Sequence, residues 1–174
     1  MSQFSDQTEV AILAATLADL QSLASKGSEI YIATHFCVDS DAALAAGLCM
    51  IALPTAELIF QSADEAVNKN QPNVVGVDIR NGTRSIKGRE SSAANIAAMA
   101  LGELGFTLDS VALEIVAEVN FVDQGKGYLL RRAFTLSRIL NCVRSSGWPD
   151  ASLVLHVRNM LRAHVTQQIK EVVL

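Results

Sequence analysis

The chain has 174 residues and a net charge of −4, the size of one ordinary domain with room for a real core, so residues 1–174 are read as a single unit. Its acidic balance, with a pI near 5.3, argues against general affinity for long nucleic acid, which needs a basic face; a single phosphate or a short nucleotide remains open. Half of the residues are apolar and only 5% aromatic, which favours closely packed, alanine-rich helices over an all-β sandwich, and no apolar run reaches membrane-spanning length.

Residues 6–25 predict a helix, with Val10, Leu13, Leu17, Leu20 and Leu23 at helical spacing and Lys26-Gly27-Ser28 as its stop. Ile30-Tyr31-Ile32-Ala33 predicts a buried strand over about 29–34, followed by a loop and a helix from about 40 to 52 that Pro54 closes. Glu57-Leu58-Ile59-Phe60 is a second short strand, residues near 62–70 a polar helix, and Val74-Val75-Gly76-Val77 a third strand beyond Pro72. This βαβαβ order implies right-handed crossovers, and hence an α/β fold with a parallel β-sheet flanked by helices. From residue 91 the pattern is helical, giving a helical C-terminal half: helices over 91–104 and 109–120 joined by Gly105, then 129–145 and 150–172 separated by Gly147-Trp148-Pro149. The last carries Val154, Val157, Leu161, Val165, Ile169 and Val172 as one apolar stripe. Wherever the sheet leaves that stripe uncovered, a homodimer through the C-terminal helix is expected.

Cys37, Cys49 and Cys142 show no CxxC spacing and read as reduced, mostly buried thiols of a cytoplasmic protein. The first residues, Met1-Ser2-Gln3-Phe4-Ser5-Asp6, show no basic and then apolar leader pattern.

The richest chemistry lies in His35-Phe36-Cys37-Val38-Asp39-Ser40-Asp41, an imidazole and two carboxylates leaving the carboxyl end of the first strand together. In an open α/β sheet that edge is where ligands bind. One His with several Asp suits Mn²⁺ or Mg²⁺ better than a structural zinc. That Asp39 or Ser40 simply caps the helix at 40–52 is the blander alternative. Asp78 ends the third strand, so in a parallel sheet it meets the first cluster at the same edge; a plain Asx turn into Asn81-Gly82 is its blander alternative. Asp123, in Phe121-Val122-Asp123-Gln124-Gly125, taken alone suits a loop position better than a ligand. Arg80, Arg84, Lys87 and Arg89 concentrate basic side chains just before Ser91-Ser92, a helix start whose free N–H groups suit a phosphate; a solvated, Ser-capped loop with Glu90 balancing the dipole fits equally. His156 and His164 have no acidic partner at ligand spacing, and Cys37 lacks a base other than His35.

Thr34-His35-Phe36-Cys37-Val38-Asp39-Ser40-Asp41-Ala42 resembles the first motif of the DHH phosphoesterase superfamily, His-x-x-x-Asp-x-Asp after the first strand. Val77-Asp78 is similar to its second motif and Val122-Asp123-Gln124-Gly125 to its fourth, so that the resemblance spans about 28–125. It implies a metal-dependent phosphoesterase acting on a small phosphorylated or nucleotide substrate, in which two Mn²⁺ or Mg²⁺ ions activate a water that attacks phosphorus. By position, His35, Asp39 and Asp78 would hold one ion, and Asp41, Asp78 and Asp123 the other, with Asp78 bridging. The family's Asp-His-His motif has no counterpart: Ile86-Lys87-Gly88-Arg89-Glu90 stands where it would fall, with no histidine between His35 and His156. Lys87 and Arg89 are therefore expected to supply the missing imidazole's charge at the scissile phosphate, with Ser91 and Ser92 at the anion site. The substrate-closing C-terminal domain common in that family is not legible here. A catalytically silent relative that binds metal, phosphate or nucleotide, or serves in assembly, is the alternative. A haloacid-dehalogenase-type phosphatase fits less well, because its nucleophilic Asp would follow the strand directly.

Overall fold

The first helix, α1 (Asp6–Ser25), begins where Ser5 Oγ accepts the Thr8 N–H, and it buries Val10, Leu13, Leu17 and Leu20 along one side. The structure is a computed structural model that describes residues 5–63, 71–80, 83–127 and 135–167. Most of the helix expected near 62–70, the start of the one expected over 129–145, and Ile169 and Val172 of the terminal stripe lie outside the described residues.

β1 (Tyr31–His35) runs between β2 (Glu57–Gln61) and β3 (Val74–Val77), and a short β4 (Ser85–Ile86) completes the order β2-β1-β3-β4, every pairing parallel. Alternation sends Ile32, Val75 and Val77 into the main core, while Ala33 and Val74 join Ile79, Tyr31 and Ile59 in a smaller cluster. The expected α/β class, with helices flanking a parallel sheet, is the architecture observed.

α2 (Ser40–Ala52) is the central helix. Every residue from Asp41 to Met50 is buried, as befits a helix apolar nearly all round. Its small side chains let α3 (Ala93–Glu103) and α6 (Asp150–Leu161) approach closely. At Gly47 an added Cβ would lie 3.2 Å from the backbone nitrogen of Arg158, so α6 crosses α2 almost backbone to backbone. α4 (Ser110–Asp123) and α5 (Leu136–Ser145) complete six α-helices among the described residues.

The sequence reading of the elements departs from the structure at three places, the first being β4, which it leaves within the basic loop. Gly105, at φ +82, is followed by a strand, β5 (Phe106–Leu108), before α4 begins. The expected helix over 150–172 ends at Leu161; a 3-10 turn over Arg162–His164 follows, and β6 (Val165–Gln167) pairs antiparallel with β5. Val165 keeps its apolar spacing and is buried, but it reaches the core from a strand. A three-and-four periodicity cannot distinguish these outcomes when the next apolar residue is β-branched and a partner strand is at hand. Val154, Val157 and Leu161 are fully buried within the chain, so this part of the stripe offers no surface to a second copy. Of the three thiols expected to be mostly buried, Cys49 is buried, while Cys37 and Cys142 are exposed.

Candidate metal centre

The register that sets Ala33 beside Gly76 carries His35 and Asp78, two residues further along each strand, to the same edge of the sheet. His35 Nε2 lies 2.9 Å from Asp78 Oδ2, and His35 Nδ1 lies 2.8 Å from the Phe36 carbonyl oxygen. A carbonyl can only accept, so Nδ1 carries the proton and Nε2 is the nitrogen turned to the site. Asp78 is 1% exposed in its side chain and has a backbone φ of +54, a left-handed conformation uncommon for a residue with a Cβ and one that turns the chain sharply at the strand end. Asp39 caps α2, its Oδ1 accepting the Ala42 N–H at 3.0 Å.

His35, Asp39 and Asp78 each offer a ligand atom within 4.8 Å of the other two, the one such group among the described residues. An imidazole nitrogen with two carboxylates is a donor set that could hold a divalent ion, and the Phe36 bond presents the correct nitrogen.

The hydrogen bond to Asp78 raises the His35 pKa to about 9; partial burial opposes this, and the Phe36 carbonyl adds to it. Without an ion, an imidazolium therefore pairs with Asp78 at neutral pH. The second oxygen of that carboxylate, Oδ1, is met by the Lys87 ammonium. Burial opposes the Lys87 charge, but the bond to Asp78 and the charges of Asp78, Asp41 and Asp39 outweigh it, and its pKa is raised.

Asp41 lies deeper, with a different set of partners. Its Oδ2 accepts the Ala93 N–H at 3.0 Å and its Oδ1 the Ala94 N–H at 2.8 Å, so an internal carboxylate occupies the start of α3, where a phosphate was expected. Burial, then the charge of Asp78, pushes its pKa up to about 7 against those two bonds. Ser92 caps α3 through Asn95 N and donates its own N–H to Asn120 Oδ1 at 2.8 Å, while the Ser91 hydroxyl donates to Asp6. Asp123 ends α4; desolvation of its carboxyl and then the charge of Asp78 raise its pKa, and Lys87 lowers it. It shares this electrostatic neighbourhood but is not in the three-residue group. Arg89 is exposed, and its N–H is held by Asp6.

Two sets of supporting residues escaped the sequence reading. Glu9 accepts the N–H groups of Lys87 and Gly88, both at 3.1 Å, and Asp6 accepts those of Arg89 and Glu90, both at 3.2 Å. The basic loop is thus fastened to the first turn of α1. Gly88 has φ +77, and a Cβ there would run into the Ser91 carbonyl oxygen. On the other side, Asp150 accepts the N–H groups of Cys37 (2.9 Å) and Val38 (3.1 Å), and Arg144 donates to the Cys37 carbonyl at 3.1 Å. These side chains hold the 36–38 loop with Cys37 at φ +57. The only signals in sequence were acidic residues in first helical turns and, for Arg144, a basic residue in a last turn, both of which normally mean dipole balance alone.

No family model, curated protein or solved structure matches the chain. No described helix is long and apolar enough to cross a membrane.

Proposed function

We propose that the chain is a divergent, DHH-like metal-dependent phosphoesterase for a small phosphorylated molecule or short nucleotide, loaded with Mn²⁺ or Mg²⁺. The observation that carries this reading is the convergence of His35, Asp39 and Asp78 at the carboxyl edge of a parallel sheet, where such folds bind ligands. The ion supplies Lewis acidity and a more acidic bound water. His35 is oriented for it by Phe36, Asp39 by its cap on α2, and Asp78 by the turn after β3. Lys87, held against Asp78, supplies positive charge to a phosphoryl group beside the ion; Arg89 is assigned the same role from its place in the loop. A location in the cytoplasm, with reduced thiols, belongs to the same proposal.

The test is hydrolysis of a panel of phosphoesters and pyrophosphates with Mn²⁺, with Mg²⁺ and with chelator. Divalent-dependent turnover that Asp78→Ala abolishes supports the reading. Metal binding without turnover favours the second one, a catalytically silent binder or assembly module. One observation points that way: Asp41 closes the α3 N-terminus, so that anion site is internally satisfied.

A further inference from the structure

Asp78 has two carboxylate oxygens, and each already faces a different nitrogen. Oδ2 meets His35 Nε2, on the side where Asp39 also offers an oxygen. Oδ1, the oxygen that would be left for a second ion if Asp78 bridged as the resemblance implies, meets the ammonium of Lys87. Resting on the metal-dependent reading above, we infer that Lys87 permanently takes the place of a second cation, so that the centre holds one divalent ion.

Three further features support this. Lys87 is held in place by its neighbours: Ile86 pairs with Val77 in the sheet, and Glu9 accepts the N–H groups of Lys87 and Gly88. Asp41, which the resemblance assigns to a second ion, is 3% exposed and spends both oxygens on backbone N–H groups of α3. Turning it outward would leave two buried donors without acceptors. Of the carboxylates that a second ion could use, this leaves Asp123 and an Asp78 oxygen already neutralised by an ammonium. A second divalent ion would also face the lysine's like charge at close range. A phosphoryl substrate would then be held between one ion and one ammonium, and the ammonium cannot be removed by chelation.

The experiment is to count bound Mn²⁺ by titration and electron paramagnetic resonance on the full chain, wild type against Lys87→Met and Lys87→Arg. Wild type is expected to bind one ion, with the spectrum of an isolated Mn²⁺ even at excess metal. Lys87→Met removes the neighbouring positive charge and is expected to bind that ion about tenfold more tightly. Lys87→Arg restores the charge and should return affinity to near the wild-type value. Circular dichroism melts establish that each variant is folded. Two spin-coupled ions in wild type would overturn this inference while leaving the metal-dependent reading intact. Unchanged or weaker affinity in folded Lys87→Met would also overturn it. No Mn²⁺ in wild type would remove the metal-dependent reading itself, and this inference with it.

Discussion

Raising the pH from 7 to 9 is predicted to tighten Mn²⁺ binding about fiftyfold, because the ion must displace a proton from His35. The His35 pKa stands at about 9 in the ion-free protein, against 6.5 for a free imidazole. At pH 7 roughly 1% of the rings are then neutral and able to bind metal, and at pH 9 about half. Calorimetry at pH 7 in buffers of different ionisation enthalpy should count close to one proton released per ion. The same pair governs the ion-free fold. Its folded pKa is raised, so its stabilisation is fully present below pH 6.5 and is lost as pH climbs through 9. The side chain of His35 is 13% exposed, and a shift from 6.5 to about 9 corresponds to at most about 3 kcal/mol. For a chain of this size that is a fall in Tm of roughly 6–12 °C across the window. Mn²⁺ affinity that is flat with pH, with no proton released on binding, would refute the pairing of His35 with both the ion and Asp78.

Two further predictions concern the supports. Asp41→Ala leaves the Ala93 and Ala94 N–H groups without their acceptor and should cost about 2–4 kcal/mol in denaturant melts. The Asp41 pKa is raised from 3.8 to about 7, so wild-type stability falls as pH rises through that interval. The penalty of the variant should accordingly be larger at pH 5 than at pH 8 by roughly 2–3 kcal/mol, and an equal penalty at both would count against the buried charge. Asp150→Ala frees the loop that runs from His35 to Asp39, and should lower stability by about 1–3 kcal/mol and weaken Mn²⁺ binding. A lowered Tm with unchanged Mn²⁺ affinity would show that Asp150 holds the fold without shaping the site.

Much of the fold was legible because it rests on local patterns. Pro54, Gly27 and the apolar runs at 30–33 and 74–77 mark the βαβαβ half, and parallel pairing then brings His35 and Asp78 to one edge. α2, apolar beyond Ser40 and Asp41, was bounded by Pro54 and by Asp39 or Ser40 as candidate caps, and Asp39 is the one that caps it. What was not legible depends on tertiary partners. Whether Val165 continues a helix or joins a strand is decided by β5, more than fifty residues earlier in the chain. Asp41 and Asp39 stand two apart and look equivalent in sequence, yet helical geometry turns one inward to α3 and leaves the other exposed at the site. The grips of Glu9, Asp6 and Asp150 on distant backbone could not be read from spacing, because they join α1 to residues near 90 and α6 to residues near 37.

The most direct test of the metal centre is a Mn²⁺ titration of the ion-free protein beside Asp78→Ala. Asp78 is the residue that both His35 and Lys87 contact. The account predicts saturable binding in the wild type and its loss in the folded variant. Binding of equal strength in both, or none in the wild type, would contradict it.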